Sequence, residues 1–179
     1  DVENKIREGF FDKYDALGLD SFTTFADIVM DRVQFLNSRM GKQPEQADWA
    51  AQINTISNVI RTASSLNLVL FASSHEELKT DEFTKRTVSQ IVLPGKLRIK
   101  LPLLFSEIYH TSTEPPSAEN KGHAKYFIQT VTDNRQTLAR CTLGLESIVD
   151  VTIENKLTPE KYGLGKILTE KGGVVHDKK

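Results

Sequence analysis

The chain has 179 residues, 39% hydrophobic and 26% charged, with 23 basic and 24 acidic side chains and a formal charge of −1. That length suits one ordinary domain burying roughly 70% of its unfolded surface, and the near-zero charge excludes a whole-molecule field for nucleic acid or membrane, so any such preference must be local. The single cysteine, Cys141, excludes an internal disulfide and fits a reducing compartment.

No apolar run approaches the roughly 18 residues of a membrane helix. The start, Asp1-Val2-Glu3-Asn4-Lys5, lacks the apolar core of a signal peptide. It also lacks an initiator methionine, and with a strand expected by residue 16 the chain reads as part of a longer one.

Residues 4–13 are short, charged and amphipathic, a helix end or arm. Residues 15–20 read as a buried strand by length and apolarity, weakened by Gly18. From Phe22, the spacing Phe22, Phe25, Val29 and Leu36 suits one helix face, with Ser21 or Thr23 able to cap its start. Met40-Gly41-Lys42-Gln43-Pro44 stops that helix. Trp49, Ile53, Ile56, Ile60 and Ala63 then recur at helical spacing, the strongest such signal here.

Leu68-Val69-Leu70-Phe71-Ala72 is a second buried strand, ending in Ser73-Ser74-His75-Glu76-Glu77. Strand, long helical excursion and strand again make a βαβ crossover and predict a parallel sheet. Residues 78–96 are polar and basic without periodicity, which predicts a mobile loop around Pro94-Gly95. Leu103 to His110 suits a third strand, and Thr111 to Gly122 a surface loop. Lys125 to Thr132 and Gln136 to Thr142 read as a β-hairpin turning at Asp133-Asn134-Arg135. Thr158-Pro159-Glu160 signals a helix start before a Lys-rich terminus.

Three constellations could carry chemistry. Asp20, at a strand's carboxyl end, can hold a magnesium-bound water, with Ser21 adding a ligand or hydrogen bond; it can equally cap the next helix. His75, at the end of the second strand, lies at the same sheet edge, where an imidazole can donate to a γ-phosphate or to attacking water; a structural hydrogen bond at a strand terminus is the alternative. Glu76 and Glu77 read as solvated, and either could serve as a base. The third is basic: Lys79, Lys85 and Arg86 lie in the polar loop, and Lys96, Arg98 and Lys100 alternate. An extended segment would put the last three on one face, able to meet phosphates, although charge runs are commonly just solvated.

Two other chemistries are excluded. A Ser21–His75 dyad lacks the G-x-S-x-G elbow, since bulky Phe22 and Thr23 follow Ser21. The four histidines, His75, His110, His123 and His176, lie too far apart for a zinc site with one cysteine.

Ala16-Leu17-Gly18-Leu19-Asp20-Ser21-Phe22-Thr23-Thr24-Phe25 resembles the Walker B strand of RecA-like ATPases. Leu68-Val69-Leu70-Phe71-Ala72-Ser73-Ser74-His75-Glu76 resembles their next strand, whose terminal polar residue senses the γ-phosphate. Three further blocks resemble the phage-type members associated with single-strand annealing and recombination: Gly41-Lys42-Gln43-Pro44 with Asp48-Trp49, Leu93-Pro94-Gly95-Lys96, and Leu101 to Tyr109. The resemblance covers roughly residues 14–150.

It implies an α/β fold with a RecA-like, mainly parallel sheet flanked by helices and a C-terminal β-hairpin, over residues 1–155, with a C-terminal helix and tail over 156–179. It implies binding of ATP and Mg2+, action on single-stranded DNA, a homo-oligomer, and residence in the cytoplasm of a bacterial host. Asp20 would hold the metal's water with Ser21 in support, His75 would be the sensor, and Lys96 would contact phosphate, across a subunit boundary in one arrangement. The loop carrying Lys79, Lys85 and Arg86 would face DNA, with Arg98 and Lys100 beside it. No G-x-x-x-x-G-K-[ST] occurs in the 179 residues, and the catalytic glutamate of the family is missing. The resemblance therefore implies a phosphate loop on a preceding, N-terminal segment. The alternative is a non-catalytic relative that keeps the fold for assembly or DNA binding.

Overall fold

A computed structural model describes residues 2–170. The fold is mixed α/β, with five α-helices and seven strands among those residues. The chain divides into two compact units, residues 1–78 with 90–104, and residues 79–89 with 105–179.

The first unit opens with α1 (Val2–Arg7), followed by β1 (Ala16–Leu19), α2 (Phe22–Leu36), α3 (Gln46–Ser64) and β2 (Val69–Ala72). β1 and β2 pair in parallel, Ala16 opposite Val69 through Leu19 opposite Ala72, so the crossover expected from the sequence is present. No third strand joins this parallel pair among the described residues, and the three-stranded sheet described below is antiparallel. β1 is not the buried strand its apolarity suggests, because exposed and half-buried residues alternate along it. The exposed positions are Ala16 and Gly18, which have little side chain to bury, while Leu17 and Leu19 are half-buried.

The core of this unit is helical. α2 buries Phe22, Ala26, Val29, Met30 and Val33, and α3 buries Ile56, Ile60 and Ala63. Leu36 and Trp49, read from the sequence as core-facing, are 64% and 40% exposed. The buried stripe of α3 instead continues toward its N-terminus through two polar residues, Gln52 and Asp48. Gln52 donates to the Ala26 carbonyl at 2.7 Å, joining the two helices.

Asp48 is fully buried and satisfied by its neighbours. It accepts from the Glu45 backbone N–H at 2.8 Å, from Asn37 at 2.8 Å and from Arg39 at 2.6 Å. The Glu45 N–H, with help from Asn37 and Arg39, holds the carboxyl below its ordinary value of 3.8 although burial pushes it up. A depressed carboxylate stabilises the fold fully above its unfolded pKa, and that stability is lost as the pH falls through the folded value. Asp48→Ala is expected to lower the thermal unfolding midpoint by on the order of 10 °C, because it removes the buried acceptor shared by the Glu45 N–H, Asn37 and the half-buried Arg39, which keeps only its pair with Glu45. Asp48→Asn is expected to flatten the loss of stability below pH 3.8, checked by circular-dichroism melts in acid.

After β2 the chain forms β3 (Glu76–Thr80) and β4 (Thr87–Ile91), a two-stranded ribbon where a mobile loop was expected. Both faces of β3 are exposed, so no alternation betrays it in the sequence. Then come α4 (Leu97–Lys100) and a 3-10 turn over Leu101–Leu104. Leu93, Leu97 and Leu101, spaced by four, are all buried and draw this segment into helical turns. That spacing replaces the extended row expected at 96–100 and the strand expected from Leu103.

The second unit is built on an antiparallel sheet of β5 (His110–Glu114), β6 (Lys125–Gln129) and β7 (Ile148–Asp150) in the order β5-β6-β7. β5 occupies residues expected as loop, pairing Thr111 with Ile128 and Glu114 with Lys125. Its threonines suit a strand, and the end pair joins opposite charges. The turn at Asp133 forms, with Asp133 Oδ1 accepting from the N–H groups of Arg135 and Gln136 at 2.6 and 2.5 Å. The following segment does not return along β6, however. Gln136 bridges to Ser89 and Arg140 to Ile108, and β7 takes the second edge of β6. The C-terminal hairpin is thus replaced by a three-stranded meander.

Glu107 links two segments of this unit, accepting from Tyr109 Oη at 2.6 Å and from the Thr142 N–H at 2.8 Å. Burial pushes the Tyr109 phenol up, and the adjacent Glu107 carboxylate adds to the shift. Cys141 is free and half-buried beside this cluster. The last described element is α5 (Gly163–Glu170), and the Lys-rich tail lies outside the described residues.

Candidate functional site

The parallel register brings two of the sequence-predicted residues to one edge. Asp20 follows β1 and His75 follows β2 by three residues, and backbone bonds fasten the two strand ends together. Ser73 N–H donates to the Leu19 carbonyl at 3.0 Å, and Phe22 N–H donates to the Ser73 carbonyl at 2.8 Å. The Asp20–Ser21 peptide is cis.

Ser21, not Asp20, caps α2: its buried hydroxyl accepts from the Thr24 N–H at 3.3 Å and lies 3.2 Å from Thr24 Oγ1. The Ser21 hydroxyl is therefore occupied at the helix start, and the Asp20 carboxylate is left for other work. Asp20 is exposed and accepts on Oδ1 from the Ser73 hydroxyl. Its Oδ2 makes no hydrogen bond or ion pair with a described residue.

His75 is held through its backbone. Its N–H donates to Thr23 Oγ1 at 3.2 Å, and its carbonyl accepts from the Val92 N–H at 2.8 Å. The imidazole is exposed and makes no hydrogen bond with a described residue. Ser74 Oγ lies 3.4 Å from Thr23 Oγ1, closing the edge between the two strands. The edge thus presents one carboxylate oxygen and one imidazole, both open to a ligand.

Among the described residues no group of three or more His, Cys, Asp or Glu side chains could hold a metal by itself. A lone exposed carboxylate fits magnesium, which retains waters and takes one or two carboxylates together with substrate phosphates. It does not suit calcium or zinc, which need a fuller protein shell. The donors present therefore fit a metal that arrives with a nucleotide. Asp20 would hold it, and the metal would supply charge neutralisation at the phosphates.

Comparison of the chain with protein-family models, with curated proteins and with solved structures gave no match. The functional reading rests on the residues themselves.

The basic residues divide into two groups. Lys96 stands immediately before α4 and shares a side with Lys100 one turn on, whereas Arg98 points elsewhere and donates to Gln90 Oε1 at 3.3 Å. The single row expected of Lys96, Arg98 and Lys100 does not form, because the segment is helical. Lys79, Lys85 and Arg86 lie exposed on the β3–β4 ribbon and its turn. Arg86 donates to the Asn134 carbonyl at 3.3 and 3.1 Å, anchoring one side of that turn.

The same turn carries a residue that sequence reasoning missed. Phe83 is 96% exposed. Asp81 Oδ1 accepts from the N–H groups of Phe83 and Thr84 at 2.9 and 2.7 Å, and Lys85, at φ 57°, closes the turn onto the Asp81 carbonyl at 2.9 Å. These bonds fix a tight turn with its aromatic ring in solvent, between Glu82 and Thr84 and two residues before Lys85. An aromatic inside the basic run was the available signal.

Proposed function

We propose that this sequence is the metal- and sensor-bearing part of a RecA-like P-loop ATPase of the phage recombination and annealing type, acting on single-stranded DNA. The observation that carries the reading is the shared carboxyl edge of β1 and β2, with the open Asp20 oxygen and the open His75 imidazole. Ligands of α/β folds bind at such an edge. Asp20 holds the magnesium of Mg-ATP, His75 meets the γ-phosphate, and Lys96 meets phosphate, from a neighbouring copy in a homo-oligomer. Both strands of the parallel pair keep an edge without a strand partner among the described residues. Parallel sheets are normally wider and covered on both faces, which supports further strands, and a phosphate-binding loop, from another segment. The cellular setting that goes with this reading is the cytoplasm of a bacterial host.

A reading as a DNA-binding protein without catalysis is favoured by the ribbon turn, whose aromatic and lysines need no nucleotide. The test is ATP turnover by the full-length polypeptide carrying this sequence, with and without Mg2+ and single-stranded DNA. Turnover that requires Mg2+ and rises with DNA is expected. DNA binding with no nucleotide binding or turnover would replace the ATPase reading by the second one.

A further inference from the structure

The two candidate residues at the carboxyl edge are each held by a hydroxyl from the opposite strand end. Ser73, after β2, donates to the carboxylate of Asp20, after β1. Thr23, in the first turn of the helix that β1 feeds, accepts from the backbone N–H of His75, after β2. Thr23 Oγ1 also lies 3.4 Å from Ser74 Oγ. The braces cross, so neither functional residue can shift without pulling on the other strand.

The chemistry of the first brace is directional. A hydroxyl on Oδ1 fixes the carboxylate plane and leaves Oδ2 as the outward acceptor. The second brace acts on backbone: with the Val92 N–H on the carbonyl side, Thr23 pins the His75 peptide from both ends and so sets where the imidazole starts. The other hydroxyls at this edge, among the described residues, are engaged differently. Ser21 is spent on the helix cap, and Ser74 donates to the His75 carbonyl at a long 3.4 Å.

We propose that Ser73 and Thr23 are positioning residues, Ser73 for the metal-holding carboxylate and Thr23 for the phosphate-sensing histidine. The inference rests on the nucleotide-site reading above. It assigns the two hydroxyls separable tasks, metal affinity and discrimination of the terminal phosphate. Partners that orient a metal's ligand typically change metal affinity 10–100-fold when lost, and loss of one ordinary hydrogen bond corresponds to about 2- to 10-fold.

The test uses the full-length polypeptide with a non-hydrolysable ATP analogue, Mn2+ affinity being read by electron paramagnetic resonance and nucleotide preference by competition with ADP. Ser73→Ala is expected to weaken Mn2+ binding about tenfold, with Ser73→Thr close to the parent. Thr23→Val is expected to reduce the preference for the analogue over ADP about fivefold, with Thr23→Ser close to the parent. Rescue by the hydroxyl-bearing variants separates positioning from simple loss of packing. If Ser73→Ala and Ser73→Thr behave alike, or Thr23→Val keeps the parent preference, the braces are overturned. Asp20→Ala is the control: if it too leaves Mn2+ affinity unchanged, the metal-site reading falls with them, whereas a strong Asp20→Ala effect beside a silent Ser73→Ala overturns the brace alone.

Discussion

Asp20→Ala in the full-length polypeptide is expected to cut Mg2+-dependent ATP turnover by on the order of 10²–10³, the scale set by loss of one preorganised group that stabilises developing charge. On the proposed reading the effect should fall on turnover more than on nucleotide affinity, since Asp20 would meet the nucleotide only through its metal. The fold should survive. Asp20 is exposed, does not cap α2, and contributes a single side-chain bond, to Ser73. Asp20→Asn sharpens the result: the neutral amide keeps the shape and can still accept from Ser73, so an equal loss assigns the effect to charge. Unchanged turnover in either variant, across a Mg2+ titration, removes Asp20 from the metal site. Circular-dichroism melts run in parallel exclude unfolding as the cause.

Much of this edge was legible because it depends on few, strong local rules. A short apolar run ending in Asp20-Ser21, a helical excursion, and a second run ending before His75 suffice to predict a parallel pair, and the register bears this out. The competition between capping and ligand binding at Asp20 could not be settled from sequence, because Asp20 and Ser21 are both good caps and adjacent. The structure gives the cap to Ser21.

The elements that were misread have particular causes. β3 has no buried face, so its Glu-Glu-Leu-Lys-Thr pattern carries no alternation, and it becomes a strand only through pairing with β4. At 96–100 two periods compete: the charges repeat every two residues and the leucines at 93, 97 and 101 every four. Burial of the leucines wins, because apolar burial stabilises and exposed charges gain little from alignment. In α3, Trp49 looked like the start of the buried stripe, yet Asp48 holds that position. A buried carboxylate is disfavoured in general and is affordable here only through donors supplied by Asn37, Arg39 and Glu45, which sequence spacing does not reveal.

Phe83→Ala is expected to weaken binding of single-stranded DNA by about 5- to 150-fold, equivalent to the roughly 1–3 kcal/mol of one base–aromatic stack. The ring is 96% exposed, so its removal leaves no cavity and the turn's bonds to Asp81 are backbone bonds that alanine retains. Stacking and charge can be told apart by salt. Phe83→Ala should lower affinity equally at all salt concentrations, leaving the slope of log K against log salt unchanged. Lys79→Ala and Lys85→Ala should each reduce that slope by about 0.7, the contribution of one phosphate contact on a single strand. Arg86→Ala should act differently again, since its guanidinium holds the Asn134 carbonyl and its loss loosens the turn that presents Phe83. Fluorescence anisotropy with a labelled oligonucleotide over a salt series measures all four. A Phe83→Ala variant with parental affinity would show that the ring is merely exposed. A parental slope in both lysine variants would return those charges to ordinary solvated surface and move the DNA contact away from this ribbon.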